Sequence, residues 1–100
     1  MFQKGSLQDK EEMHAIVRGY VQGVGFRATA YVSATKLGIT GTVKNLPDGT
    51  VEIYAQGRRE VLDAFVIKMK THPRLKSVKS VDASYYRPRK SFEDFQILVN

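Results

Sequence analysis

The connection between the first predicted strand and the first predicted helix reads Gly19-Tyr20-Val21-Gln22-Gly23-Val24-Gly25-Phe26-Arg27. Glycine tolerates the left-handed conformations and the close backbone approach that let several N–H groups converge on one point. The positive end of the following helix adds to that field, and an arginine at the helix start offers paired donors to an anion. The turn therefore predicts an anion site, for example for phosphate. Taken alone, the same residues are equally compatible with a tight structural connection.

The segments on either side of this turn have clear periodicities. Before it, Met13, Ala15 and Val17 alternate with other residues, which predicts a strand. After it, apolar residues recur at helical spacing and Gly38 stands where a helix commonly ends. The predicted helix covers residues 28–37; it buries Phe26, Ala30, Ala34 and Leu37 and leaves Arg27, Thr29, Ser33 and Lys36 more exposed.

The next two predicted strands form a hairpin. Residues 39–45 and 50–56 both alternate, and Leu46-Pro47-Asp48-Gly49 lies between them. Proline presets φ, aspartate tolerates the turn and glycine supplies a positive φ, so this tetrapeptide predicts a tight reversal.

A second helix and two further strands complete the chain. The helix is predicted over 58–71 with Val61, Leu62, Phe65 and Met69 on its buried face, and Pro73 ends it. A strand around Val81, Ala83 and Tyr85 stops before Pro88, and Phe95, Ile97 and Val99 form a short last strand.

This order of elements predicts a ferredoxin-like α+β fold of split βαβ type, with two helices on one face of an antiparallel sheet of four to five strands. If the third strand lies between the first and the second and is antiparallel to both, those two run parallel. Their C-terminal ends then meet at one edge of the sheet. We therefore expect Gln22–Arg27 to lie close to Asn45.

Composition limits the remaining possibilities. One hundred residues suit a single domain, predicted over 13–100 after a flexible, polar tail over 1–12. The chain has no cysteine, which excludes disulfides and thiolate ligands, and His14 and His72 are isolated, so no metal site is predicted. His14 is expected to be a surface residue of the first strand. Without a signal-peptide core or an apolar run of about 18 residues, a cytoplasmic location is expected.

The net charge of +6 is concentrated in residues 58–90, which carry ten Lys and Arg against Glu60, Asp63 and Asp82. Such a stretch could attract nucleic acid, but it could also be a solvated surface that attracts small anions.

Three segments together resemble the signature blocks of the acylphosphatases: residues 21–27, residues 37–41 (Leu-Gly-Ile-Thr-Gly) and residues 43–52 (Val-Lys-Asn-Leu-Pro-Asp-Gly-Thr-Val-Glu). The resemblance is detailed from Ala15 to Gly57, and it is less close through the second helix and on to the segment from Tyr85 to Phe95. It implies hydrolysis of the carboxyl–phosphate bond of acyl phosphates without a metal or an organic cofactor. Thr42 departs from the family, many members of which carry a bulky aromatic there, and this puts strand packing near the site in doubt.

The resemblance also implies roles for particular residues. Arg27 matches the phosphate-binding catalytic arginine, and Asn45 matches the asparagine that holds the attacking water. The phosphate-cradling loop, which binds through backbone amides, matches Gln22, Gly23, Val24, Gly25 and Phe26.

The same order of elements is compatible with other functions. An RNA-binding module of the same topology would need stacking aromatics on its central strands, but the third strand offers Tyr54 beside the acidic Glu52, so no nucleic-acid partner is expected. Two further alternatives are a regulatory domain that has lost the reaction, which Arg27 and Asn45 argue against, and a part of a larger carbamoyl-phosphate-handling enzyme. The nucleotide-binding motif GxxxxGK[ST] does not occur. The small domain lacks heptads, and a monomer is expected.

Overall fold

A computed structural model describes residues 10–23, 25–73, 75 and 77–99. The elements along the chain are β1 (Glu11–Gly19), α1 (Phe26–Lys36), β2 (Thr40–Asn45), β3 (Val51–Gly57), α2 (Arg59–Thr71), β4 (Val78–Tyr86) and β5 (Phe95–Leu98). Each predicted element is present, and most ends differ from the prediction by one to three residues.

The five strands form one sheet in the order β4-β1-β3-β2-β5. β3 lies between β1 and β2 and is antiparallel to both, so β1 and β2 run parallel as expected. The prediction of an antiparallel sheet needs one correction, because β5 pairs parallel with β2 and the sheet is mixed. The chain crosses from β4 at one edge to β5 at the other, which gives β5 the direction of β2.

The core lies between one face of the sheet and the two helices. Met13, Ala15 and Val17 of β1 are fully buried, and the same cluster includes Val43 of β2 and alternate residues of β3, Val51, Ile53 and Ala55. From the helices come Phe26, Ala30, Ala34, Leu62, Phe65 and Met69. The predicted apolar faces are therefore confirmed, with Leu37 and Val61 at their partly buried margins. Ser33, which was expected to be exposed, is instead buried at 8% exposure between the core positions Ala30 and Ala34.

The hairpin turn between β2 and β3 is confirmed. Gly49 has a φ of 93°, and its N–H donates to the Leu46 carbonyl at 3.1 Å. A carboxylate oxygen of Asp48 accepts from the Thr50 hydroxyl at 2.6 Å and from the Thr50 N–H at 3.0 Å. These two hydrogen bonds, the hydroxyl bond first, hold the pKa of Asp48 below its usual value.

The first strand begins inside the segment that was predicted to be a flexible tail. Glu11 and Glu12 belong to β1, where they pair with Gly57 and Gln56 of β3. Residues 1–9 of the predicted tail lie outside the described residues, as do Val24 of the predicted phosphate loop, Arg74 and Lys76 of the basic stretch, and Asn100. No helix in the described part of the chain is long and apolar enough to cross a membrane.

Candidate active site

At the end of β1, where the turn begins, the backbone lies directly against the chain segment that precedes β4. The Tyr20 N–H donates to the Ser77 carbonyl oxygen at 3.1 Å, which joins the end of β1 to the chain just before β4. A Cβ on Gly19 would overlap that same carbonyl oxygen, so the close approach requires glycine. The turn therefore leaves the sheet from a fixed position.

The turn then leads into α1 through glycines in the left-handed conformation. Gly23 and Gly25 have φ values of 79° and 82°, and Gly25 is the N-cap residue of α1. Among the described residues, no side chain caps the helix and no acidic residue lies in its first turn. The first N–H groups of a helix have no intrahelical acceptors, and the dipole makes this end positive. This helix start can therefore receive an anion.

Arg27 is the second residue of α1 and is half-buried. Its Nη1 donates to the Leu98 carbonyl oxygen at the end of β5, at 3.3 Å. No carboxylate in the described part of the chain forms an ion pair with it. A guanidinium has five N–H donors, so one bond orients the side chain and leaves others for an anion.

Asn45 is the last residue of β2 and pairs with Val51 of β3. Strand alternation places it on the same face of the sheet as Val43, which is fully buried against the helices. Its Oδ1 is shielded from solvent. Asn45 is thus held on the helix-facing side of the sheet, the side to which Arg27 belongs.

Gln22 connects the glycine turn to the hairpin that follows Asn45. Its Nε2 donates to the carbonyl oxygens of Leu46, at 2.8 Å, and of Thr50, at 2.7 Å. The structure therefore brings the start of the predicted phosphate loop to the residue directly after Asn45. The sequence predicts a role only for the backbone amide of Gln22, and nothing in it indicates these hydrogen bonds of the side chain.

Three hydrogen bonds at this site had no signal in the sequence. The acceptor of Arg27 lies 71 residues further along the chain, and the acceptors of Gln22 lie 24 and 28 residues away. All three are main-chain carbonyl oxygens, which carry no residue identity. Only the pairing of the strands brings them into reach.

Thr42, the departure from the family pattern, lies away from this site. It pairs with Tyr54 and belongs to the face of the sheet opposite to Val43 and Asn45. No group of three or more His, Asp and Glu that could hold a metal ion occurs among the described residues.

Comparison with known proteins agrees with this architecture. The acylphosphatase family model matches residues 13–97. An acylphosphatase of Thermus thermophilus is 46% identical over 71 residues, which cover 71% of this chain and 81% of the relative. The structure of an acylphosphatase from Coxiella burnetii superposes with a TM-score of 0.84 at 29% identity, over 96% of this chain and all of that one.

A similar domain also occurs within a much longer protein. The crystal structure of T. kodakarensis HypF matches 90% of this chain with a TM-score of 0.76 at 32% identity, but the match covers 12% of that protein. The relatives named acylphosphatase, by contrast, are matched over most of their own length. On the extent of the family match and on these identities, the chain belongs to the acylphosphatase family.

Proposed function

We propose that this protein is an acylphosphatase, which hydrolyses the carboxyl–phosphate bond of acyl phosphates to a carboxylate and inorganic phosphate. The observation that carries the proposal is the pair of hydrogen bonds donated by the Gln22 side chain. They join the loop that leads to Arg27, at the start of α1, to the hairpin that directly follows Asn45. Membership of the acylphosphatase family supports the same reaction.

The phosphate group is proposed to bind at the start of α1. Backbone N–H groups of Gln22, Gly23, Val24, Gly25 and Phe26 surround it, and Arg27 bridges two of its oxygens. The left-handed glycines and the absence of a side-chain cap at α1, in the part of the loop that is described, support this assignment. Donors fixed in this way stabilise the charge that spreads over the equatorial oxygens in the transition state.

Asn45 is proposed to orient the attacking water. A side-chain amide can donate to and accept from the same water, which holds the water in line with the scissile P–O bond. The buried, strand-held position of Asn45 supports a positioning role. The proton of the water passes to a phosphate oxygen of the substrate, since the proposed site contains no carboxylate or histidine to accept it.

The chemistry of the leaving group explains why the proposed site can hydrolyse an acyl phosphate without a general acid. The carboxylate released from an acyl phosphate has a conjugate acid with a pKa of roughly 4, like an Asp or Glu side chain, so it departs without a proton. A phosphate ester of a phenol releases a group whose pKa is about 10, like that of tyrosine, and such a group requires a general acid. The proposed site therefore selects acyl phosphates by leaving-group chemistry.

The decisive assay measures phosphate release from benzoyl phosphate, with phenyl phosphate as the matched control substrate, with and without EDTA. We expect rapid hydrolysis of benzoyl phosphate, none of phenyl phosphate and no effect of the chelator. Absence of hydrolysis above background would overturn the proposed activity, whereas loss of activity on chelation would overturn the metal-free mechanism alone.

We also propose that the enzyme acts as a cytoplasmic monomer. The composition and the lack of heptads support this assignment. Light scattering at micromolar concentration tests the oligomeric state, and fractionation of cells tests the location.

A further inference from the structure

The face of the sheet opposite to the helices forms a second concave surface, which we call the outer groove. It has a volume of about 770 Å³. Its floor includes His14 of β1, Thr42 of β2 and Tyr54 of β3, and the segment 86–92 that follows β4 forms one wall. Lys44 borders the groove, while the next residue, Asn45, belongs to the other face of the sheet. The outer groove therefore lies on the face of the sheet opposite to the proposed active site, although Leu98, whose carbonyl oxygen accepts from Arg27, also lines it at the end of β5.

A buried glutamine holds the wall of the outer groove against the sheet. Gln56 of β3 is only 3% exposed. Its Nε2 donates to the Lys90 carbonyl oxygen and, at 3.0 Å, to a carboxylate oxygen of Glu12, and its Oε1 accepts from the Phe92 N–H at 3.3 Å. A buried amide with all these bonds fixes the segment around 90 in place, because breaking them would leave buried polar groups unpaired.

The charges around the outer groove favour an anion. Four cations line it: Lys44, Arg87, Arg89 and Lys90. Two carboxylates also line it; Glu52 bonds to the His14 Nε2 at 2.8 Å and Glu12 accepts from Gln56. No carboxylate among the described residues forms an ion pair with any of the four cations. A concave surface with an excess of unpaired positive charge raises the local concentration of anions.

Aromatic rings line the same groove. The Tyr54 ring lies 4.7 Å from the His14 ring, centroid to centroid, the Tyr86 side chain is 44% exposed, and Phe92 stands on the wall. The Nζ of Lys90 is 5.4 Å from the centroid of the Phe92 ring. Aromatic faces beside cations suit a ligand that has both a planar ring and phosphate groups.

We propose that the outer groove is a second ligand site, for a nucleoside diphosphate or triphosphate, with the base against Tyr54, Tyr86 and Phe92 and the phosphates on Arg87, Arg89 and Lys90. Its volume lies within the usual range of small-molecule sites, about 300–1,000 Å³. The rings Tyr54, Tyr86 and Phe92 all line one groove, so a single nucleotide suits the site better than a nucleic-acid strand, which needs a row of stacking positions.

The test is calorimetric titration of the full chain with ADP in excess inorganic phosphate, which occupies the proposed active site. We expect one ADP per protein. The triple variant Arg87→Ala, Arg89→Ala, Lys90→Ala should bind ADP about tenfold or more weakly, because three exposed charge contacts are lost. All three side chains are exposed, so the fold is retained.

A matched control removes the same number of charges from the helix side of the molecule. The triple variant Lys36→Ala, Lys68→Ala, Lys70→Ala changes three exposed lysines on α1 and α2 and should bind ADP as the wild type does. A separate variant, Tyr54→Leu, should weaken binding about fivefold or more through loss of stacking. Adenosine, which has the base without phosphates, should bind much more weakly than ADP.

Four results would overturn the proposal. They are no binding of ADP, loss of ADP affinity in the variant Arg27→Ala, equal loss of affinity in both triple variants, and tighter binding of a single-stranded RNA octamer than of ADP. The second places ADP in the active site, the third indicates unspecific attraction, and the fourth indicates a nucleic-acid surface. None of these results bears on hydrolysis of benzoyl phosphate, so the proposed function is tested independently.

Discussion

Replacement of Gln22 by methionine tests how the phosphate loop is held beside Asn45. Methionine has nearly the length of glutamine and no charge, but it cannot donate a hydrogen bond. The variant therefore removes the bonds to the Leu46 and Thr50 carbonyl oxygens, at 2.8 and 2.7 Å, and adds no new charge near the bound phosphate.

The expected loss of stability follows from these two bonds. Each intramolecular hydrogen bond contributes about 0.5–1.5 kcal/mol, so the pair contributes about 1–3 kcal/mol. The larger penalty for a buried unsatisfied group does not apply in full, because the Leu46 carbonyl also accepts from Gly49 and the Thr50 carbonyl also accepts from Leu46. For a domain of this size, each kcal/mol lowers Tm by about 4–8 °C.

The expected kinetic effect is larger than the effect on stability. The bonds of Gln22 set the distance between the phosphate loop and the strand end at Asn45, and a displacement of about 1 Å between reacting groups can cost 10²-fold in rate. We therefore expect kcat/KM for benzoyl phosphate to fall by about 10- to 100-fold at a temperature where the variant is fully folded.

The matched control is Gln96→Met, because Gln96 is an exposed glutamine of β5. This control should keep both the Tm and the kinetics of the wild type. If Gln22→Met lowers Tm but keeps wild-type kcat/KM, Gln22 stabilises the fold without positioning the site, and the reasoning is refuted.

Two further predictions concern backbone conformation and pH. Gly41→Ala should lower the free energy of unfolding much more than Gly25→Ala, because a Cβ at residue 41 would overlap the Tyr54 carbonyl oxygen, whereas one at residue 25 meets no described atom within 4 Å. Gly25→Ala then lowers the free energy of unfolding mainly through the strain of a left-handed alanine, about 1–2 kcal/mol. Urea denaturation measures the free energy of unfolding of both variants, and equal losses of stability in the two would contradict this account. Hydrogen bonds from Thr50 lower the pKa of Asp48 below its unfolded value of 3.8, so their stabilisation is present above pH 3.8 and is lost as the pH falls through the folded pKa. The Tm difference between the wild type and Asp48→Asn should shrink as the pH falls below 3.8, and a constant difference would argue against the turn as its source.

The fold could be predicted largely because local patterns agree with the tertiary structure. The alternation of Met13, Ala15 and Val17, the helical spacing of Phe26, Ala30 and Ala34, and the turn chemistry around Gly49 each correspond to an observed element. The order of these elements was enough to place the ends of β1 and β2 at one edge of the sheet.

Other features depended on contacts between distant segments. The parallel direction of β5 follows from the path of the chain after β4, which no periodicity records. His14, expected to be a surface residue, is half-buried because Glu52 and Tyr54 of β3 lie beside it. The outer groove is formed by the segment around Lys90, which Gln56 attaches to the sheet from 34 residues away.

The central claim is that Arg27 binds the phosphate group while Asn45 orients the attacking water. The most direct test measures kcat and KM for benzoyl phosphate, and the inhibition constant of inorganic phosphate, in the wild type, Asn45→Ala and Arg27→Ala. Asn45→Ala should lose about 10²-fold in kcat, because the water that we propose Asn45 orients would no longer be held in line, while its inhibition constant should stay close to that of the wild type. Arg27→Ala should weaken phosphate binding and lower kcat together, since it removes the cation that we propose contacts the phosphate in both the ground state and the transition state. If Asn45→Ala instead keeps kcat and weakens phosphate binding as much as Arg27→Ala does, the proposed roles are contradicted.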